Sequence, residues 1–292
     1  MQMRLTRSEI AALCYADVFD YPLTKEELQK FRIAGKSVRT GFPKKSDRSS
    51  DQSVQKITEL HKGYYTLKNR GRLVSLREKR EHWATLKLQT AIQIARLLRY
   101  IPAIRLIAVS GALAMRNTDY DDDIDLLIVT KAGLLWTTRF LAVGLVEFLG
   151  KRRRPSSRNI GDKICLNMFV DEAHLGIPKN EQDVFSAHEV AQMKILWGRE
   201  ETIRRFRKEN EWIRKYLPNI KYQISESKNT NFSISQFLNF IECIVRQLQL
   251  FYMKNHRTNE VVRDGYLRFH PNDARTWILP AFEKRLRRHG MV

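Results

Sequence analysis

The chain has 292 residues, room for two or three compact units at about 100–150 residues each. A 43% hydrophobic fraction is that of a globular protein, and the net charge of +20 draws polyanions: nucleic acid, nucleotide phosphates or an anionic surface. Three cysteines, Cys14, Cys165 and Cys243, stand too far apart for a zinc site or a disulfide framework, which fits a reducing cytoplasm.

In chain order, 1–10 is polar and lacks the pattern of a secretory signal. Residues 6–20 read as a helix stopped by Tyr21-Pro22, and Thr24 with Glu27 forms a capping box opening a second helix through Phe31. Residues 35–53 collapse to Gly, Ser, Lys, Arg, Asp and Pro, a basic loop. Val54, Ile57 and Leu60 recur at a three-residue step and suggest a third helix; 63–67, followed by the turn Asn69-Arg70-Gly71, reads as a hairpin. Three helices and a hairpin resemble a winged helix, a module that binds nucleic acid or serves for docking. A long helix follows over 76–100, ended by Pro102. Then come a strand at 105–109, a break at Ser110-Gly111, a helix start at 112–116, an acidic loop and a second strand at 123–129. The most apolar stretch, 134–150, holds Arg139 and Glu147 and falls short of a membrane span, so it reads as a buried helix and no membrane partner is expected. A basic loop with Lys151–Arg154 and Arg158 leads to a strand at 163–170, and the rest, 184–197, 202–216, 234–254 and 276–288, is predominantly helical. The aromatic stripe Phe237, Phe240 and Phe251 reads as core packing.

The chemistry concentrates around Gly111 and Asp123. Residues two apart on a strand share a face, so Asp123 and Asp125 project to one side about 7 Å apart. Two carboxylates that close repel each other unless a cation sits between them. Upstream, a strand feeding Gly111 and a helix start presents backbone N–H groups suited to a phosphate. Metal at the Asp pair and phosphate at Ser110, Gly111 and Ala112 are two halves of a nucleoside triphosphate site.

Gly111-Ala112, ten residues, then Asp123-Ile124-Asp125 resembles the signature of the DNA polymerase β-like nucleotidyltransferase superfamily. The wider order, FDYPLTKEEL (19–28), VSGALAM, DDDIDLLIVT, KICLNMFV and the late FHP (269–271), resembles a group of prokaryotic nucleotidyltransferase-domain proteins. The resemblance implies that Asp123 and Asp125 bind Mg²⁺ or Mn²⁺ carrying the triphosphate, and that a nucleoside monophosphate passes to a hydroxyl acceptor. It implies a third carboxylate on a later strand. If Cys165, Asn167 and Phe169 share a face there, Asn167 meets the Asp pair, and Asp171 at the strand end is the other candidate ligand. Ala112 stands where a serine is common, and Ser110 is the hydroxyl that could substitute for it.

The fold class expected is α/β (α+β): a winged-helix-like module at 1–72, a small mixed-sheet nucleotidyltransferase core at 73–180 and a helical region at 181–292. The alternatives to an active transferase are a catalytically reduced regulator that binds nucleotide or nucleic acid, and a basic nucleic-acid-binding protein in which the sheet is scaffold. Lys131 and Arg116 are weighed as phosphate contacts but read more readily as solvated strand-end and turn residues; 151–154 with Arg158, and Arg199, Arg204, Arg205 and Arg207, are basic faces; His174, His188 and His270 read as surface or packing residues.

Overall fold

A computed structural model describes residues 5–35, 57–154, 160–221, 236–254, 261–269 and 273–291. The fold is mixed α/β, and among the described residues two sheets form. The start of the chain builds α1 (Arg7–Ala16), β1 (Leu23–Thr24), α2 (Lys25–Lys30), β2 (Thr58–His61) and β3 (Tyr64–Leu67). Both helices open on capping boxes. Thr6 exchanges bonds with Glu9, and Thr24 accepts from Glu27 N at 3.2 Å while Glu27 Oε2 accepts from Thr24 N at 2.9 Å.

The expected third helix is corrected where it can be seen. Val54 lies outside the described residues, and Thr58–His61 is a strand paired antiparallel with β3 in register Leu60 to Tyr65. Three apolar residues at a three-residue step make too short a run to outweigh a turn at Lys62-Gly63, where both residues have positive φ (49° and 84°). That is the geometry of a two-residue hairpin. Asn69, also at positive φ (64°), turns the chain into the next helix and does not close the hairpin.

That helix, α3 (Leu73–Leu98), is locked to the small sheet by Arg77, 5% exposed. Its guanidinium pairs with Glu27 at 2.6 Å and Glu81 at 3.0 Å and lies over the rings of Tyr21 and Tyr64.

The large sheet has the order β7-β4-β5-β6-β9-β8, from β4 (Ile104–Val109), β5 (Ile124–Thr130), β6 (Ile164–Asp171), β7 (Lys194–Gly198), β8 (Val261–Arg263) and β9 (Tyr266–Arg268). Only β5 and β6 are parallel, joined through α5 (Leu135–Phe148); a one-turn helix α4 (Gly111–Ala114) follows β4. The later helices are α6 (Val184–Gln192), α7 (Glu200–Glu209), α8 (Gln236–Lys254) and α9 (Arg275–Arg288). The reading of 184–197 as one helix is corrected: α6 ends at Gln192, Met193 is extended (ψ 131°), and Ile195 to Gly198 join the edge of β4. Nor is the end of the chain all helix, because Asp264-Gly265, with Gly265 at φ 67°, closes a β8–β9 hairpin onto β6.

Alternation along β5 divides the core. Leu127 and Val129 pack with α1, α6 and α9, whereas Leu126 and Ile128 pack with α3 and α5. The first cluster runs unbroken from Leu13 in α1 to Phe282 in α9, so the opening and closing segments share one core. On the other face, α8 is turned opposite to expectation. Phe240 and Phe251 are 65% and 75% exposed, while Glu242 and Gln249 point inward to α5; the Phe237 side chain lies outside the described residues. Among the described residues no helix is long and apolar enough to cross a membrane.

Candidate metal and phosphate site

The site forms where β4 ends and β5 and β6 begin. Ser110 is extended at φ −118°, donates its backbone N–H to Asp125 O at 3.1 Å and caps α4 without a side-chain bond. Gly111 turns at φ 63° and packs so closely that a Cβ there would lie 3.0 Å from Asp125 Oδ2. Only glycine meets both demands. Because α4 spans four residues, its dipole is weak, and the Gly111-Ala112 backbone would carry any phosphate contact.

The acidic loop before β5 is held from behind. Lys87 of α3, 1% exposed, donates to Tyr120 O at 2.8 Å, Asp122 O at 2.7 Å and Asp162 Oδ1 at 3.0 Å. Asp122 accepts from Thr118 and from Asp119 N, and Asp119 pairs with Arg80. Two of the loop's carboxylates are thereby committed to architecture, and Asp123 and Asp125 face the site.

Ligand atoms of Asp123, Asp125 and Cys165 all lie within 4.8 Å of one another. Cys165 stands there because it pairs with Asp125 in register with Ile124 and Ile164; beyond it the ladder slips, Leu127 pairing with Met168, so β6 carries an extra residue. The expected sharing of one face by Cys165, Asn167 and Phe169 is therefore corrected, since Phe169 packs in the cluster on the opposite side of the sheet. Asn167 sits in the irregular stretch, buried, with its backbone carbonyl accepting from Phe269 N at 2.9 Å. Asp171 is not part of the cluster either. It pairs with Thr130, about 17 Å further along the strand, and its carboxylate contacts His174 Nδ1 at 2.7 Å and Ala173 N at 2.9 Å.

The loop after α5 completes the arrangement. Arg152 bridges to Ile164, and Arg153 N donates to Ile164 O, which sets the Arg153 guanidinium 2.9 Å from Asp123 Oδ2 and 3.6 Å from Cys165 Sγ. Of the basic run, this is the member placed on the Asp pair; Arg152 and Arg154 pair with Glu147, and Arg158 lies outside the described residues. Lys131 follows the far end of β5, and Arg116 turns back to Thr85 of α3.

Burial, and next to it the charge of Asp123, push the Asp125 carboxyl up to about 7, with Glu189 of α6 adding to the rise. Burial also lifts Glu189 to about 7. Burial and both aspartates hold the Cys165 thiol far above its ordinary value, so it is a neutral SH. Asp125 Oδ1 is buried with no hydrogen-bond partner among the described residues. A divalent cation would answer that deficit. Two hard oxygens suit Mg²⁺ or Mn²⁺, which retain water and phosphate ligands. Sequence reasoning missed Cys165, Lys87 and Arg153 as site elements; the run of arginines was the one signal for the last.

His188, beside Glu189, is a packing residue. It stacks on Tyr15 at 3.8 Å and near Phe31, Nδ1 bonds to Val184 O, and burial lowers it to about 4. His270 lies outside the described residues. Comparison of the chain with protein-family models, curated proteins and solved structures returns no match.

Proposed function

We propose that the chain is a divalent-metal-dependent nucleotidyltransferase that moves a nucleoside monophosphate from a nucleoside triphosphate to a hydroxyl. The observation that carries this reading is the convergence of Asp123, Asp125 and the Gly111 turn, with the turn packed directly on the Asp125 carboxylate. Asp123 and Asp125 would hold Mg²⁺ or Mn²⁺, which when bound supplies charge neutralisation for the triphosphate. The acceptor oxygen attacks the α-phosphorus, the bond to the bridging oxygen breaks, and pyrophosphate leaves; the Gly111-Ala112 backbone orients the phosphates through N–H groups. The acceptor's proton needs a carboxylate, and β6 offers only Cys165 at this level. Glu189 is the further acid whose charge reaches Asp125. In the same reading the opening helices and small sheet are a winged-helix-like module that brings nucleic acid to the basic surface.

Incubation with labelled ATP, CTP, GTP or UTP and Mg²⁺ or Mn²⁺ should release pyrophosphate, and Asp123→Asn or Asp125→Asn should abolish it. Full activity in both variants would end the assignment. A second reading, a regulator of the same fold that binds nucleotide without turnover, is favoured by the Arg153–Asp123 ion pair and by a thiol where a third carboxylate is expected. Nucleotide binding with no pyrophosphate release would select it.

A further inference from the structure

Away from the Asp123–Asp125 site, a cavity of about 370 Å³ lies between the end of β3 and the end of α9, and its lining is strongly basic. Lys68 and Arg70 reach it from the turn after β3; Lys284, Arg285 and Arg288 reach it from the last turns of α9. The single carboxylate in the lining is Asp17, buried and already engaged: Arg70 Nε lies 2.9 Å from one oxygen and Arg285 Nε 2.7 Å from the other. Lys284 and Arg288 take part in no ion pair among the described residues, and both are exposed.

Basic groups in the last turn of a helix ordinarily complement its dipole. That accounts for part of α9, and Arg70 is held by Asp17 and Asp20, but neither explains Lys68, which comes from a turn more than 200 residues earlier in the chain. Asp17 compensates Arg70 and Arg285, but Lys68, Lys284 and Arg288 add three further like charges at the same concavity, and a bound anion removes their mutual repulsion. The wall is also rigid where it matters. Arg285 is tied to the Asp17 carbonyl at 3.1 Å, and α9 ends on Gly290 at φ 63° with Met291 N bonded to Leu286 O at 2.9 Å. This closure fixes His289 in the lining, where burial and Arg288 hold the imidazole below its usual value.

We propose that this cavity binds the phosphate group of a nucleotide-sized anion, with Lys68, Lys284 and Arg288 contacting it against the wall that Arg70 and Arg285 build through Asp17. Its volume falls in the range of small-ligand pockets, and ammonium and guanidinium groups donate charge-assisted hydrogen bonds to phosphate oxygens. No residue of the Asp123–Asp125 cluster lines it, so the site stands independently of the catalytic reading. The phosphate could be that of a free nucleotide or the terminal phosphate of a nucleic acid strand, and one experiment separates these.

The full chain is titrated calorimetrically in EDTA with pyrophosphate, with ATP, and with one short oligonucleotide carrying either a 5′-phosphate or a 5′-hydroxyl. Binding of pyrophosphate or ATP that weakens at least tenfold in Lys284→Glu/Arg288→Glu supports the site. ATP binding more tightly than the oligonucleotide identifies a free nucleotide. A clear preference for the 5′-phosphorylated strand over its hydroxyl counterpart identifies a nucleic acid end. Lys68→Glu, in a turn and without an ion pair among the described residues, should reproduce the loss. A control with the same charge change on α3, Arg96→Glu/Arg99→Glu, should not. Absence of binding by all four probes, or equal weakening in control and test variants with native circular dichroism, would overturn the proposal.

Discussion

Arg153 sets its guanidinium 2.9 Å from Asp123, so a fixed organic cation and a divalent ion would contend for one carboxylate oxygen. The contact follows from chain geometry, because the parallel bridge from Arg152 to Ile164 aims the next residue at the start of β5. Replacing Arg153 with Gln removes the competing charge. Mn²⁺ affinity, read by calorimetry or by loss of the free-ion paramagnetic signal, should then rise about tenfold, equivalent to about 1.4 kcal/mol. Asp123→Asn should reduce it in the same assay. Weaker Mn²⁺ binding in Arg153→Gln would show that the arginine supports the site and does not compete for it.

Gly111 answers to two constraints at once. An alanine there adopts left-handed backbone at a cost of about 1–2 kcal/mol and also presses Cβ to 3.0 Å from Asp125 Oδ2. Urea unfolding of Gly111→Ala should show a loss of about 2 kcal/mol, and Mn²⁺ binding should fall with it, since the carboxylate is the group that must move. Gly144 has open space around an added Cβ and serves as the contrast. On α5, Gly144→Ala should be neutral or stabilising.

Lys87 is the buried keystone of the acidic loop. With methionine in its place the Tyr120 and Asp122 carbonyls lose their donor and Asp162 loses its partner. Removing one member of a buried charged network costs about 3 kcal/mol, and the half-exposed Asp162 brings the figure toward 2. Denaturation of Lys87→Met should report that loss. Hydrogen exchange should quicken around 119–123 and leave α9 unchanged.

Which features were legible from sequence follows from how local their causes are. The Thr24–Glu27 capping box, the Ser110-Gly111 break and the same-face Asp pair depend on residues within four positions of one another, and each appears where expected. The partner of Asp125 on β6 depends on the register between strands 40 residues apart. Alternation puts Cys165, Asn167 and Phe169 on one face and polarity picks Asn167, but the register pairs Asp125 with Cys165 and the slip after it shifts Asn167 away. Lys87 looked like one more polar residue on a long helix, because its partners lie 33 to 75 positions away. The strand Lys194–Gly198 was hidden for a similar reason. Its identity comes from the open edge of β4, and its own residues pack equally well in a helical pattern.

The adjacent residues His188 and Glu189 should give stability an opposed dependence on pH. Burial lowers His188 from 6.5 to about 4, so below pH 6.5 the unfolded chain takes up a proton that the folded chain refuses. Stability from this group is intact above 6.5 and is lost as pH falls toward 4, by about 3 kcal/mol in full. Glu189, raised from 4.5 to about 7, acts in the other direction: the folded chain keeps the proton, and stability falls as pH rises through that window. Its side chain is partly open to solvent, which reduces its share. Between pH 4.5 and 6.5 the wild-type profile should therefore be shallow. In His188→Phe, urea midpoints should decline with rising pH, and in Glu189→Gln they should climb. Parallel profiles for both variants would exclude these two groups as the source.

The inverted helix α8 makes the last contrast. An amphipathic stripe ordinarily faces the core, yet Phe240 and Phe251 face outward, and beside the apolar contacts of Val245, Leu250 and Met253 the side toward α5 carries polar ones. Glu242 accepts from Trp136 N at 2.6 Å and Thr137 N at 2.8 Å, first-turn donors of α5 that have no partner within the helix, and Gln249 donates to Trp136 O at 2.8 Å. A carboxylate in that place satisfies orphan N–H groups and meets the positive end of the dipole. Glu242→Ala should therefore cost about 1–2 kcal/mol, the loss of a helix cap. Phe240→Ser and Phe251→Ser should each stay within about 0.5 kcal/mol of wild type. If the phenylalanine variants prove the costly ones in urea unfolding, the outward face of α8 is covered in solution and the polar contact with α5 is secondary. The orientation described here requires the reverse order.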